Sequence, residues 1–479
     1  MSPKELQSAN TLVWFRNNLR VTDNPALYAA AQEPGQTLAV YVLCEEYIGR
    51  HQTAPARVDF IRRNLEVLEK DLAKLNISLV LMRVLKAEEI PQALRELAKR
   101  NSCSQFFFNG EYPVDELARD RAVVEAMRAE DISCRRYHDR VILPPGTVCN
   151  QKGEAYKVFS AFRRRWWERV ISSSLEPLGA PSAQAASKIS GTSETSLNNL
   201  FEGLEQRDLS SHWPAGEAEA HRRLKVFLTD HVEHYHQERD FPAHPGTSQL
   251  SPYLAVGAIS ARQCLHAVLK TQGESEGART WMSELIWRDF YQHVVVSFPQ
   301  VCKHRAMQTY TEAFPWRYDE DKLQAWQRGE TGIPIIDAAM RQLLETGWMH
   351  NRLRMVAAMF FSKNLQLDWR VGEAWFMSQL IDGDFAANNG GWQWCASTGT
   401  DAVPYFRVFN PVAQSKRYDP TGKFIRTYVP ELRHLSDRQI HEPPPTKGYP
   451  APIVDLKSSR AETIEIFRTL PRSTIPTQQ

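Results

Sequence analysis

Residues 11–140 alternate short apolar runs with longer amphipathic stretches, and that alternation leaves few folds open to the first third of this chain. The runs lie at 12–15, 38–43, 79–82 and 106–108, with a weaker one at 134–137. Between them, stretches such as 58–75 and 90–100 repeat apolar residues at helical spacing. Strands that alternate with helices in this way belong to a parallel sheet with helices on both faces. The expectation is a doubly wound α/β domain that binds a ligand at the carboxyl ends of its strands. The G-x-G-x-x-G fingerprint of dinucleotide sites does not occur.

Beyond residue 140 the pattern breaks down. V-I-L-P-P-G-T-V at 141–148 reads as a turn, and 155–170 as a helix carrying R-R-R-W-W. The Ser-, Pro-, Ala- and Thr-rich stretch 172–199 reads as a connector over the surface. Arg163, Arg164 and Arg165 read as a solvated helix face rather than a nucleic-acid site. From Glu217 onward helical patterns dominate to about residue 470, followed by a polar tail expected to fray. The expected organisation is an α/β domain over 1–140, a connector over 141–215 and a helical, all-α domain over 216–479. A formal net charge of +2 does not by itself point to nucleic acid, so a DNA partner needs a local basic patch. Nine of the 13 tryptophans fall between Trp281 and Trp394, which places the unusual composition in the helical part.

That part holds D-G-D-F-A-A-N-N-G-G-W-Q-W at 382–394. Adjacent glycines let a backbone bend or approach a neighbour, and Asn-Asn-Gly-Gly argues against a packed helix. Asp accepts, Asn donates and accepts, and Trp offers a flat face with one N–H. The mixture suits a buried, flat, polar-edged ligand such as a flavin, a pterin or a nucleobase. A glycine-hinged turn with tryptophans in a core also accounts for it. Ahead of it, G-T-S-Q-L-S-P at 246–252 reads as an anion site at a helix start or as an ordinary N-cap. Trp281, Glu284, Trp287 and Arg288 share a helix face, where the carboxylate needs a donor, either Arg288 or a ligand N–H. Asn351, Arg354 and Met355 share another, with Arg354 expected to pair with Asp382 or Asp384. Trp316, Trp369 and Trp392 read by spacing as core. Residues 401–411, with Gln414, Lys416 and Arg417 beyond, fit a nucleic-acid edge or a capped loop equally well.

Seven cysteines without a C-x-x-C spacing point to reduced thiols, with neither a disulfide frame nor a zinc site. His231, His234, His236 and His244 cluster without a completing Cys or carboxylate, so no metal is expected. The N-terminus lacks the apolar core of a signal peptide, and no run is long enough to span a bilayer, so a soluble intracellular protein is expected. G-x-S-x-G, H-E-x-x-H and Walker motifs are absent.

Read together and in order, these groups resemble the photolyase–cryptochrome flavoproteins, most nearly the bacterial class I cyclobutane pyrimidine dimer photolyases. The likeness runs nearly end to end: L-V-W-F-R-N-N-L-R-V-T-D-N-P-A-L, V-I-L-P-P-G, Y-H-Q-E-R-D-F-P, G-T-S-Q-L-S-P-Y-L-A-V-G-A-I-S, E-L-I-W-R-D-F-Y, G-W-M-H-N-R-L-R-M, the 382–394 stretch and A-S-T-G-T-D-A-V-P-Y-F-R-V-F-N-P.

The resemblance implies FAD in the helical domain. Tyr235 and the loop Thr247, Ser248, Gln249, Leu250 and Ser251 would hold its ribose and phosphates. Trp281, Arg288, Arg354, Asp382, Gly383 and Asp384 would line the rest, and Asn388 would face flavin N5. Plant-type photoreceptors commonly carry Asp at that position and animal types Cys, so Asn388 favours repair with a fully reduced flavin. Glu284 would hydrogen-bond the flipped dimer, Trp287 and Trp394 flank it, Asn351 bond a carbonyl and Met355 pack on it. Enzymes acting on (6-4) lesions carry His where Asn351 stands, which favours the cyclobutane lesion. Arg239, Arg352 and Gln414 match phosphate contacts. Trp392, Trp369 and Trp316 match a chain that carries electrons to photoexcited flavin, which displaces the core reading. His51, Asp115, Glu116, Cys302 and Lys303 match contacts of an antenna pigment, methenyltetrahydrofolate, with deazaflavin as the alternative. Asp115 stands where folate binders carry Asn, and Gln249 where close relatives often carry Arg or Lys. The implied protein is a monomer of the bacterial cytosol that repairs UV-damaged DNA containing pyrimidine dimers; a cryptochrome-type photoreceptor is the rival reading.

Overall fold

The computed structural model describes residues 10–171, 176–186, 195–271 and 273–471. Positions 172–175 and 187–194 of the expected connector, and the expected polar tail from 472, lie outside the described residues.

Five strands make one parallel sheet: β1 (Asn10–Phe15), β2 (Thr37–Cys44), β3 (Leu79–Val84), β4 (Cys103–Asn109) and β5 (Ser133–Tyr137), in the order β3-β2-β1-β4-β5. Each apolar run is a strand, as the alternation implies. The faint fifth run is an edge strand carrying Arg135 and Arg136, so only part of it needs to be apolar. Along central β1 the side chains alternate between two cores. Val13 and Phe15 face one, and Leu12 and Trp14 the other, all at most 1% exposed. The strand order reverses at β1 and β4, which opens a crevice at their carboxyl ends.

Six helices carry or flank the polar spaces of the molecule: α1 (Pro55–Lys74), α2 (Phe159–Ile171), α3 (Glu276–Ser297), α4 (Asn351–Met359), α5 (Trp369–Gln379) and α6 (Phe385–Ala396). The part beyond residue 216 is built of helices and loops, with no strand among the described residues. The helix expected over 155–170 begins later, at Phe159, where the backbone N–H is taken by Asp401 at 3.2 Å. α3 buries Ala278, Met282, Leu285, Ile286, Phe290 and Val294 around most of its circumference, as a central helix must.

Two local expectations fail. Asn-Asn-Gly-Gly does not preclude a packed helix, because Asn388, Asn389, Gly390 and Gly391 all lie inside α6. Asp384 caps α6, its carboxylate accepting from the Ala387 N–H at 3.1 Å. A Cβ on Gly390 would sit 2.2 Å from the Tyr291 ring of α3, so the glycine is there to let two helices touch. The N-cap reading of 246–252 fails as well. Leu250 holds the N-cap position of the short Ser251–Val256 helix, without a side-chain cap bond.

Buried polar contacts join the two halves. Asp23, fully buried, accepts from Ser260 Oγ at 2.5 Å and from Arg262 Nε at 2.9 Å. Arg20 pairs with Asp139 and donates to the Gly257 carbonyl at 3.0 Å. Gly257 has φ +73°, and a Cβ there would lie 2.1 Å from the Asn17 carbonyl oxygen. Asp289 of α3 accepts from the N–H groups of Ile142 and Leu143 at 3.1 Å and from Trp166 Nε1 at 2.9 Å.

Candidate functional site

In the helical half α6 packs against both α3 and α4, and a chain of charges links α3 to α4. Arg239 donates to Glu284 of α3 at 2.5 Å and lies 3.9 Å from Asp240, which accepts from Arg352 of α4 at 2.7 Å. The donor that Glu284 needs is therefore Arg239. Arg288, one of the two donors left open by helical spacing, instead donates to the backbone carbonyl of Arg140. Burial lifts Glu284 above the ordinary carboxylate pKa, with the Arg239 charge opposing it. Trp287, one turn along α3, is half-buried and stacks on Phe159 of α2 at 3.6 Å. Met355 and Trp394 are half-buried, and the Cys395 thiol donates to the Met355 carbonyl at 3.7 Å, tying α6 to α4. Asn351 is exposed at the first position of α4, and Gln414 is half-buried with no partner for its oxygen. His350 caps α4, accepting from the Arg352 N–H at 3.2 Å, and burial pushes its pKa down to about 4.

Deeper in, Arg354 donates to Asp382 Oδ2 at 2.7 Å, and Asp382 Oδ1 is buried without a partner. Asp384 pairs with Arg140. Burial works to raise its pKa, but Arg140, Arg288 and Arg57 hold it below the ordinary carboxylate value. Arg140 and Arg57 escaped sequence reasoning, since nothing in their local spacing ties them to Asp384. The Asn388 amide donates to the Glu373 carbonyl oxygen at 3.0 Å, leaving its own oxygen with no protein donor among the described residues. Trp281 donates through Nε1 to Ser248 Oγ at 3.3 Å, and Trp348 to Ser251 Oγ at 3.1 Å. Tyr235 and Leu250 are buried, and Thr247 is half-buried. Gln249 is exposed at φ +50°, with Arg223 donating to its side-chain oxygen at 3.3 Å. A cation from elsewhere in the fold thus sits beside the position that lacks one.

A second space, a cavity of about 450 Å³, opens between the carboxyl ends of the strands and the helical half. His51, Asp115, Glu116 and Cys302 line it, together with Glu373, Gly383 and Asp384 from the other side. Lys303 is exposed beside it and is not among the lining residues. Burial, reinforced by Glu111, raises Glu116 to about 7, and burial lowers His51, whose Nε2 lies 3.8 Å from Glu116 Oε1. Asp115 pairs with Arg50 at 3.3 Å.

Trp392 and Trp369 are buried with unpartnered ring N–H groups, and Trp316 is half-buried against Phe314 at 4.2 Å. All seven cysteines are free. Among the described residues no group of three or more His, Cys, Asp or Glu is arranged to hold a metal ion, and no helix is long and apolar enough to cross a membrane.

A doubly wound parallel sheet with a crevice at its carboxyl ends, joined across a polar cavity to a helical half, defines a two-part architecture of an α/β and an all-α unit. The chain belongs to the DNA photolyase family, within the photolyase/cryptochrome superfamily: residues 11–182 match the DNA photolyase model and 281–469 that of the FAD binding domain of DNA photolyase. It is 44% identical to the deoxyribodipyrimidine photo-lyase of Vibrio cholerae over 96% of this chain and 99% of that one. Among solved structures it is similar to a class III photolyase from Agrobacterium tumefaciens, with TM-score 0.88, 33% identity and coverage of 97% of this chain and 98% of that one. It is also similar to a cryptochrome from Synechocystis, with TM-score 0.85, 27% identity and coverage of 96% and 99%. The buried, unpartnered Asp382 Oδ1 and the open oxygen of Asn388 fit FAD, whose isoalloxazine edge carries both donors and acceptors.

Proposed function

We propose that this protein is a light-dependent deoxyribodipyrimidine photo-lyase acting on cyclobutane pyrimidine dimers in UV-damaged DNA. The observation that carries the reading is Glu284, a carboxylate anchored by Arg239 at 2.5 Å, lifted by burial, and one helical turn from the indole of Trp287. Such a group bonds the N–H or carbonyl edge of a flipped base and resists competition from water. Trp287 and Trp394 supply flat walls, Met355 an adaptable apolar floor, and Asn351 an amide for a carbonyl. Arg239, Arg352 and Gln414 position the backbone at the mouth.

Tyr235, Thr247, Ser248, Gln249, Leu250, Ser251, Trp281, Arg288, Arg354, Asp382, Gly383 and Asp384 would hold FAD. Asn388, committed through its N–H to the Glu373 carbonyl, would present its oxygen to a flavin N–H, which favours the reduced state. Reduced FAD, held by these residues, would supply the light-driven one-electron chemistry that splits the dimer with no net redox change. Trp316, Trp369 and Trp392 would pass electrons inward to keep the cofactor reduced. The cavity containing His51, Asp115, Glu116 and Cys302 would hold the antenna, methenyltetrahydrofolate before deazaflavin.

The test is repair itself. Purified, chemically reduced protein is mixed with UV-irradiated oligothymidylate and illuminated with near-UV or blue light beside a dark control. Light-dependent recovery of thymine absorbance supports the reading. No recovery with flavin bound and reduced would shift the conclusion to a photoreceptor.

A further inference from the structure

We propose that this chain has a second electron path, Trp392–Trp326–Trp375, which branches from the first tryptophan of the proposed chain and leaves the protein on α5. This rests on the flavin reading above and adds two residues to which that reading gives no role.

Trp392 lies on α6 one turn beyond Asn388, the residue proposed to face the flavin, and is buried. Its ring meets that of Trp326, on the short helix Glu320–Arg328, edge to face at 6.0 Å between centroids. Trp326 is fully buried and in turn lies 5.1 Å from Trp375 of α5. Phe376 joins all three rings, at 5.0 Å from Trp392, 5.7 Å from Trp326 and 6.1 Å from Trp375. Trp375 is half-buried, so the series of rings runs from the core to a position that solvent reaches.

The Nε1 atoms of Trp392 and Trp326, like that of Trp369, are buried with no acceptor. A phenylalanine in either place would avoid the cost of burying an unpaired N–H. An indole that has given up an electron turns acidic at this N–H. With no acceptor beside it the proton stays, and the electron vacancy moves on instead of being trapped. Charge then separates the two branches. The Arg370 guanidinium sits 4.9 Å from the Trp369 ring, where it opposes a positive vacancy on that indole. Arg370 is also paired with Glu312 at 2.6 Å and Asp368 at 3.1 Å, which weakens the opposition without removing it. The rings that meet Trp326 are those of Phe361, Trp375, Phe376 and Trp392, all uncharged. The Trp326 branch therefore carries electrons beside the Trp369–Trp316 branch. In each cycle one electron passes from Trp392 to the light-excited oxidised flavin. Trp326 refills Trp392, and Trp375 refills Trp326. A dissolved thiol refills Trp375 and gives up its proton to water.

The experiment follows reduction of the bound flavin by absorbance under blue light with dithiothreitol. W316F should stay within about ten-fold of the unsubstituted rate, and W316F/W375F should fall at least about ten-fold further. W392F, which removes the shared entry, should lose photoreduction. A second readout needs no flavin chemistry. W316F illuminated in air without thiol should gain oxygen on Trp375, read by peptide mass spectrometry, and W316F/W392F should not. Photoreduction abolished in W316F, an equal rate in W316F/W375F, or Trp375 left unoxidised in W316F or oxidised equally without Trp392 would each overturn the branch. Photoreduction that survives W392F would overturn the branch together with the electron-chain reading. The repair reading is judged separately, on thymine recovery by chemically reduced protein that needs no tryptophan chain.

Discussion

Glu373 of α5 is 4% exposed, accepts from Asn389 Nδ2 at 2.9 Å, and offers its backbone carbonyl to Asn388. Burial raises its carboxyl to about 7, with the Asn389 hydrogen bond opposing. The folded chain therefore holds this proton to a higher pH than the unfolded chain does. Stability from it is full below the unfolded value of about 4.3 and is lost as pH rises toward 7. Denaturant unfolding from pH 5 to 7.5 should show the unsubstituted protein losing on the order of 2 kcal/mol more than Glu373→Gln; equal slopes would mean that Glu373 is charged throughout. At the site itself, Glu284→Ala should lower repair yield per absorbed photon several-fold while the bound-flavin spectrum stays the same. An unchanged yield would remove Glu284 from the proposed role. Glu284 was legible in the sequence as a carboxylate between indoles, but its partner was not. Helical spacing sees only neighbours three or four residues away and offered Arg288 beside a ligand N–H, whereas Arg239 lies 45 residues off. Asp382 and Arg354, by contrast, were each marked by their own motif, and they pair at 2.7 Å as expected.

At the scale of elements, the strands were legible because burial on both faces leaves a continuous apolar run, visible without any partner. α6 was not, because the preference of Asn-Asn-Gly-Gly for turns is overridden by contacts from other helices. Its two glycines answer to different constraints, and that difference is measurable. Gly390→Ala would drive a Cβ to 2.2 Å from the Tyr291 ring, while a Cβ on Gly391 meets nothing within 4 Å. Alanine is the better helix former by about 1 kcal/mol, so Gly391→Ala should raise the stability of flavin-free protein by up to that amount. Gly390→Ala should lower stability by about 1–3 kcal/mol, because overpacking between α3 and α6 outweighs the gain in propensity. Thermal unfolding of the pair would check this. Shifts of the same sign would show that helix propensity, rather than the α3 contact, governs both positions.

The molecule as a whole depends on a seam that no local pattern announces. Asp23 belongs to the sheet half, yet its partners Ser260 and Arg262 lie 237 and 239 residues further on. The cavity at the carboxyl ends of the strands is also a property of the seam, with walls from β2 and the start of α1 on one side and α5 and Asp384 on the other. Each wall reads as ordinary surface or core until the halves meet. The seam should therefore decide whether the halves unfold together. Asp23→Asn is the informative change, because Asn accepts the left-handed φ of +49° and nearly matches Asp in shape, so the charge and one of the two accepting oxygens are removed without a cavity. Arg262, 17% exposed, would then lack its partner, a loss toward the lower end of the about 3–5 kcal/mol for breaking a buried pair. Tryptophan fluorescence reports mainly the helical half, since nine of the 13 indoles lie between Trp281 and Trp394, whereas far-ultraviolet circular dichroism reports both halves. In the unsubstituted protein the two thermal transitions should coincide, and in Asp23→Asn the midpoint should fall and the transitions should separate. Coincident curves with an unchanged midpoint would mean that the buried charge of Asp23 contributes nothing to holding the halves together and that the remaining seam contacts suffice.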